Sequence, residues 1–90
     1  MAVAMMVDTG GSQAAYERVR VELGSEKPEG GIFHIAGPSP DGGWRVLEVW
    51  ETAEQADRFF HERLVPALQA AGIQGPPPRR ELWLVHAAMR

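Results

Sequence analysis

Apolar residues recur along this chain with two spacings, every second position in some stretches and every third or fourth in others, and the alternation marks out the elements. The densest signal runs from Gly42 to Gly72. Trp44, Val46, Leu47, Val49 and Trp50 are β-branched, aromatic or bulky, which predicts a strand over 44–50. Period two puts Trp44, Val46, Glu48 and Trp50 on one face, and Arg45, Leu47 and Val49 on the other. Both faces carry large apolar groups, so both need cover. Thr52-Ala53-Glu54-Gln55 then reads as a capping box, the Thr52 hydroxyl accepting from the Gln55 amide and the Gln55 side chain reaching back. Ala53, Ala56, Phe60 and Leu64 make one helical stripe, with Asp57 at its edge. Pro66 lacks an amide hydrogen and crowds the turn before it, which predicts a break or kink near Val65 and a restart. Ala67, Leu68 and Ala71 continue the apolar side, and Gly72 supplies a left-handed stop.

The remaining stretches repeat these element types. Residues 2–8 form a short apolar run bounded by Thr9-Gly10-Gly11, a buried strand. Ser12 caps a helix over 13–23 in which Ala15, Val19 and Leu23 fall four apart with Tyr16 beside them, and Gly24 closes it. A strand over 31–37 places Ile32, His34 and Ala36 on one face and Phe33 and Ile35 on the other. Pro38-Ser39-Pro40-Asp41-Gly42 is a stiff turn, so this strand and the next should form a hairpin. Gly75-Pro76-Pro77-Pro78 reads as an extended connector. It leads to a last strand over 80–86, with Leu82, Leu84 and His86 on one face and Glu81, Trp83 and Val85 on the other. The order β-α-β-β-α-β predicts an α+β, ferredoxin-like unit: a four-stranded antiparallel sheet with both helices on one face.

Length turns the open face into an argument. Ninety residues make one domain spanning 1–90, and a chain this short hides only about 60–65% of the surface its unfolded form exposes. A second copy is the simplest cover, giving a homodimer with two sheets face to face, a dimeric α/β barrel. The net charge of −3 argues against nucleic acid as a partner, which wants a clustered basic surface. No run of like charge and no long apolar segment points to a membrane. The stretch MAVAMMVD lacks the basic start of a secretory signal and reads as a strand. Without cysteine there are no disulfides, zinc ribbons or thiol chemistry, and a cytoplasmic location is the default expectation.

Three stretches carry a resemblance: His34-Ile35-Ala36-Gly37-Pro38, the block Gly43 to Glu51, and Phe59-Phe60 through Leu64-Val65-Pro66-Ala67 to Ala71-Gly72. With the element order, they make the chain resemble the dimeric α/β-barrel superfamily, near the small antibiotic biosynthesis monooxygenase-like proteins. The resemblance implies a dimer with a mostly apolar pocket in each subunit, binding a small apolar or aromatic molecule. It implies cofactor-independent oxygenation or isomerisation where such proteins are enzymes. The chain departs from the haem-degrading members of the superfamily in the setting of their axial histidine, so no cofactor is expected.

The candidate chemistry sits on the strands. A carboxylate inside an otherwise apolar strand must be paired, wet or protonated, which singles out Glu48. His34 beside it would serve as acid or base with Glu48 orienting it, since imidazole titrates near neutrality. Trp44, Trp50, Trp83 and His86 would shape the site for a flat ligand. Each has a plainer alternative: a hydrogen-bonded sheet histidine for His34, an ion pair with Arg45 or across the dimer for Glu48, and core or interface packing for the tryptophans. Two histidines and a carboxylate also suit non-haem iron, but no two of His34, Glu48 and His86 share an element in ligand register, so no metal ligand is assigned. His61 and Arg79-Arg80 read as solvated, and Met5-Met6 as core. Two functions stay open: a small-molecule enzyme, and a non-catalytic dimeric module that senses a ligand or supports a neighbouring protein.

Overall fold

The sheet is held by one strand made almost entirely of residues that belong inside. Val3, Ala4, Met5 and Val7 are all buried, and this strand, β1 (Val3–Thr9), lies in the interior of the sheet. The structure is a computed structural model and describes residues 1–40, 42–75 and 78–88. β1 pairs antiparallel with β3 (Trp44–Trp50) on one side and β4 (Arg79–Leu84) on the other, and β2 (Gly31–Pro38) pairs with the far edge of β3. The strand order is therefore β2-β3-β1-β4, all neighbours antiparallel. α1 (Gln13–Leu23) joins β1 to β2. A second helical stretch joins β3 to β4, beginning as α2 (Ala53–Phe59), widening into a π-helical turn (Phe60–Leu64) and ending as α3 (Val65–Ala70). This is the ferredoxin-like α+β arrangement that the sequence predicts.

Register sorts the side chains into two faces. His34, Glu48, Met5 and Leu82 stand opposite one another across the four strands and face the helices. Trp50 on that face is fully buried and lies against Phe59, ring centres 5.0 Å apart and tilted by 41°. With Met5, Val7 and Ala56 they form the core. Burying a side chain the size of Met5 contributes roughly 1.5–3 kcal/mol. The opposite face carries a second apolar row, Phe33, Val49, Ala4 and Trp83, also one residue from each strand. There Phe33, Ile35 and Trp83 are about half exposed. A bulge between Gly31 and Phe33 inserts Ile32 and sets this phase.

Several local expectations change in the structure. The Thr52 Oγ1 accepts from the Gln55 amide at 3.1 Å, but the return half of the capping box is absent: Gln55 Oε1 is buried with no hydrogen-bond partner among the described residues. Ala53 is exposed, and Phe59 joins Ala56 and Phe60 in the buried face instead, because a phenyl ring reaches Trp50 where a first-turn methyl does not. The expected irregularity near Val65 takes the form of a change of helix type, with Pro66 in the first turn of the restarted α-helix. The Val65 amide reaches back five residues to the Phe60 carbonyl, and Pro66 sits in the first turn of α3, where a missing amide hydrogen costs little. Gly72 (φ +78°) ends the helix as expected, with Ile73 N–H on the Leu68 carbonyl and Gly72 N–H on that of Gln69. β4 stops at Leu84, opposite the first paired residue of β1, and only Val85 N–H makes one more bond, to Ala2 O. Arg80 is not solvated: its guanidinium covers the Phe60 ring at 4.4 Å and pairs with Asp57 at 2.6 Å. The hairpin between β2 and β3 forms as predicted, although its Asp41, and Pro76 and Pro77 of the proline connector, lie outside the described residues.

Candidate functional site

Between the helix-facing side of the sheet and the helices lies a cavity of about 770 Å³. Its walls are largely aliphatic and aromatic, with Val7 and Val46 from the sheet, Val19 and Leu23 from α1, and Phe59, Leu64, Leu68 and Ile73 from the second helical stretch and its end. The helical spacing of Ala15, Val19 and Leu23 aims that edge of α1 at the sheet, and Tyr16 and Arg20 come with it as an i, i+4 pair. Asp8, Gln69, Gln74 and Arg79 line other parts of the cavity, while four polar residues, Tyr16, Arg20, His34 and Glu48, gather where α1 meets β2 and β3.

These groups form a continuous line. At its buried end, the Trp50 indole N–H donates to Glu48 Oε1 at 3.3 Å. The other carboxylate oxygen, Oε2, lies 2.9 Å from His34 Nδ1. His34 Nε2 is 2.6 Å from the Tyr16 hydroxyl, and Arg20 donates to that hydroxyl at 3.2 Å. A carboxylate accepts and does not donate, so Nδ1 carries the hydrogen and, in the neutral ring, Nε2 accepts from the Tyr16 O–H. Every donor then points the same way, from Arg20 to Tyr16 to His34 to Glu48. Glu48 is 8% exposed, and a carboxylate so buried needs both of its partners. His34 Cα stands opposite Glu48 Cα in the β2–β3 ladder, so the ladder itself holds the pair together. The Tyr16 ring lies between two others, 6.0 Å from His34 and nearly parallel, and 5.5 Å from Trp44. The hydrogen bond to Tyr16, and then the electrostatic attraction of that oxygen, raise the Arg20 guanidinium pKa above its ordinary value.

Of the residues singled out from sequence, His34, Glu48 and Trp44 share the cavity wall. Trp44 Nε1 is buried there with no hydrogen-bond partner among the described residues. Trp50 stands behind the wall, in the core, packed against Phe59 and with its indole N–H on Glu48. Trp83 lies on the opposite face of the sheet, and His86 lies past the end of β4, exposed. The suggested Glu48–Arg45 pair does not form: the strand alternation sends Arg45 to the other face, where it meets Asp8 at 2.8 Å. Tyr16 and Arg20 are the site residues that sequence reasoning misses. Their one sequence signal is the i, i+4 spacing on the apolar edge of α1. Among the described residues no three His, Asp or Glu side chains come together to hold a metal ion. Both nitrogens of His34 have hydrogen-bond partners, Glu48 at Nδ1 and Tyr16 at Nε2.

No family model matches the sequence, and no curated protein sequence is similar to it. Solved structures do match. A protein from Chloroflexus aurantiacus J-10-fl with the provisional description antibiotic biosynthesis monooxygenase superposes with a TM-score of 0.67 at 14% identity, over 100% of this chain and 98% of its own. SnoaB, a cofactor-independent oxygenase from Streptomyces nogalater, gives 0.61 at 12% identity over 98% and 94%. A protein from Deinococcus radiodurans, again provisionally described as an antibiotic biosynthesis monooxygenase, gives 0.54 at 10% over 100% and 97%. The fold is theirs. At such identities the likeness is one of fold, and it spans the whole of this chain and nearly all of each of the others.

Proposed function

We propose that the chain binds a small, largely apolar aromatic molecule in the cavity and oxygenates it without a cofactor, the proton it removes ending on His34. The observation that carries this reading is the directed line from Arg20 through Tyr16 and His34 to Glu48 on the wall of a largely apolar chamber. A methylene made acidic by flanking rings and a carbonyl loses a proton, and the resulting carbanion gives its electrons to dioxygen. The hydroperoxide so formed loses water. One methylene and one dioxygen thus become one carbonyl and one water, and no outside reductant is consumed. His34 receives the proton while Glu48 holds Nδ1–H and stabilises the imidazolium. The aliphatic wall keeps water from the carbanion. Two further observations support the reading: the cavity falls within the roughly 300–1,000 Å³ usual for small-molecule sites, and the fold is shared with a cofactor-independent oxygenase. A second copy of the chain over the row Phe33, Val49, Ala4 and Trp83 completes the assembly.

Dithranol, a dihydroxyanthrone, is a suitable probe because it carries such a methylene. Oxygen uptake should accompany its conversion to the quinone. His34→Ala should lower the rate by roughly a hundredfold or more, with native mass unchanged. An unaltered rate removes His34 from the mechanism. The second reading, a non-catalytic ligand-binding module, has one observation in its favour: His34 and Glu48 both already have protein partners. Dithranol that quenches tryptophan emission without oxygen uptake would select it.

A further inference from the structure

The Tyr16 hydroxyl occupies the one nitrogen of His34 that Glu48 leaves open, at 2.6 Å. The lone pair a bound molecule would need is therefore already taken. Further contacts hold the phenol there: its ring packs against His34 and Trp44, and its oxygen accepts from Arg20. We infer that Tyr16 is the catalytic residue that exchanges a proton with the bound molecule, with His34 and Glu48 behind it as its base and Arg20 as the counter-ion of its phenolate. This rests on the proton-transfer role proposed above and gives it a different contact atom.

The step balances without any electron transfer. The Tyr16 O–H bond breaks and an N–H bond forms at His34 Nε2, leaving a phenolate beside Arg20 and an imidazolium held by Glu48. The phenolate oxygen then takes an acidic C–H or O–H proton from the ligand. One proton has moved from ligand to His34, and the ligand is left as an anion. Its charge settles at the Arg20 end of the cavity, beside the atom that took the proton. The other arginine on the wall, Arg79, is on β4, at the opposite edge of the sheet from His34. The ligand class follows: an apolar ring system whose acidic hydrogen is conjugated to an oxygen at one edge.

Tyr16 is the chain's single tyrosine, so its reactivity is readable without any substrate. Benzenesulfonyl fluoride sulfonylates a phenolate oxygen with release of fluoride, and the adduct is counted by peptide mass, with Tyr16→Phe as the background. The folded wild-type protein should label at Tyr16, and both His34→Gln and Arg20→Met should slow that labelling by roughly a hundredfold. Arg20 is exposed and its substitution leaves the core untouched, so a folding defect in the histidine variant would not decide the result. Equal labelling rates in the three folded proteins overturn the inference. Dithranol separates the two readings. Labelling that depends on His34 and Arg20 without dithranol oxygenation sinks the oxygenase and leaves the tyrosine base standing. Full-rate oxygenation by Tyr16→Phe does the reverse.

Discussion

Glu48 shows how one buried charge dictates the state of its neighbours. Its two oxygens face two hydrogens, one on the Trp50 indole and one on His34 Nδ1. An indole N–H can only donate. In Glu48→Gln the amide oxygen must therefore face Trp50, and the amide nitrogen must face His34. That turns Nδ1 into the acceptor and moves the ring hydrogen to Nε2, which then donates to the Tyr16 oxygen and can no longer take its proton. The variant should fold with nearly the wild-type urea midpoint yet lose on the order of 10³–10⁴ in dithranol turnover, as expected when a histidine is held in the wrong tautomer. Turnover that survives would show that the tautomer is irrelevant. Arg20 has a simpler pH behaviour. Its charged form is favoured in the fold, so its contribution is present below the ordinary arginine range and is lost only above it; it stays a cation wherever the protein is folded. At this scale the sequence is half legible. Glu48 stands out because a carboxylate among apolar strand residues demands a partner, and His34 because the hairpin brings the two strands together. Tyr16 does not, since nothing local in α1 says that its hydroxyl will meet a nitrogen on β2.

At the scale of elements, boundaries follow local chemistry wherever the chemistry is local. The α1 bounds come directly from the Ser12 cap and Gly24, and the end of α3 from Gly72. Pro66 marks where the helix restarts, and what it does not reveal is that the turn before it widens into a π turn over Phe60–Leu64. A π turn is a property of how the whole helix lies on the sheet, not of any one residue in it. Gly43 is the reverse case, a position where backbone geometry leaves no choice. Its φ is +84°, and a Cβ there would strike the Thr9 carbonyl oxygen. Gly43→Ala should destabilise the protein by more than about 1 kcal/mol, seen as a lower urea midpoint at unchanged slope. A wild-type midpoint would mean that the turn relaxes away from β1.

For the molecule as a whole, alternation and element order are enough to give the topology, because a hairpin and two crossovers leave few antiparallel arrangements of four strands. The faces follow from period two once the bulge at Ile32 has set the phase of β2. The location of the cavity does not follow, since it depends on how far the helices stand off the sheet. If a second copy covers the open face, Phe33→Asp should convert a two-chain native mass into a one-chain mass while leaving the circular dichroism of the subunit intact. A wild-type protein that sediments as one chain would sink that assembly.

The position of β1 also bears on how the protein is made. β1 is made before either of its sheet neighbours, and it needs β3 on one side and β4 on the other. Between the end of β1 and the start of β4 lies a stretch that takes on the order of 4–14 s to synthesise at about 5–20 residues per second. Through that interval Val3, Met5 and Val7 have at best one neighbouring strand, and an unpaired edge is where chains join one another. The sheet can close around β1 only when β4 arrives, so this strand stays open to other chains long after it has been made.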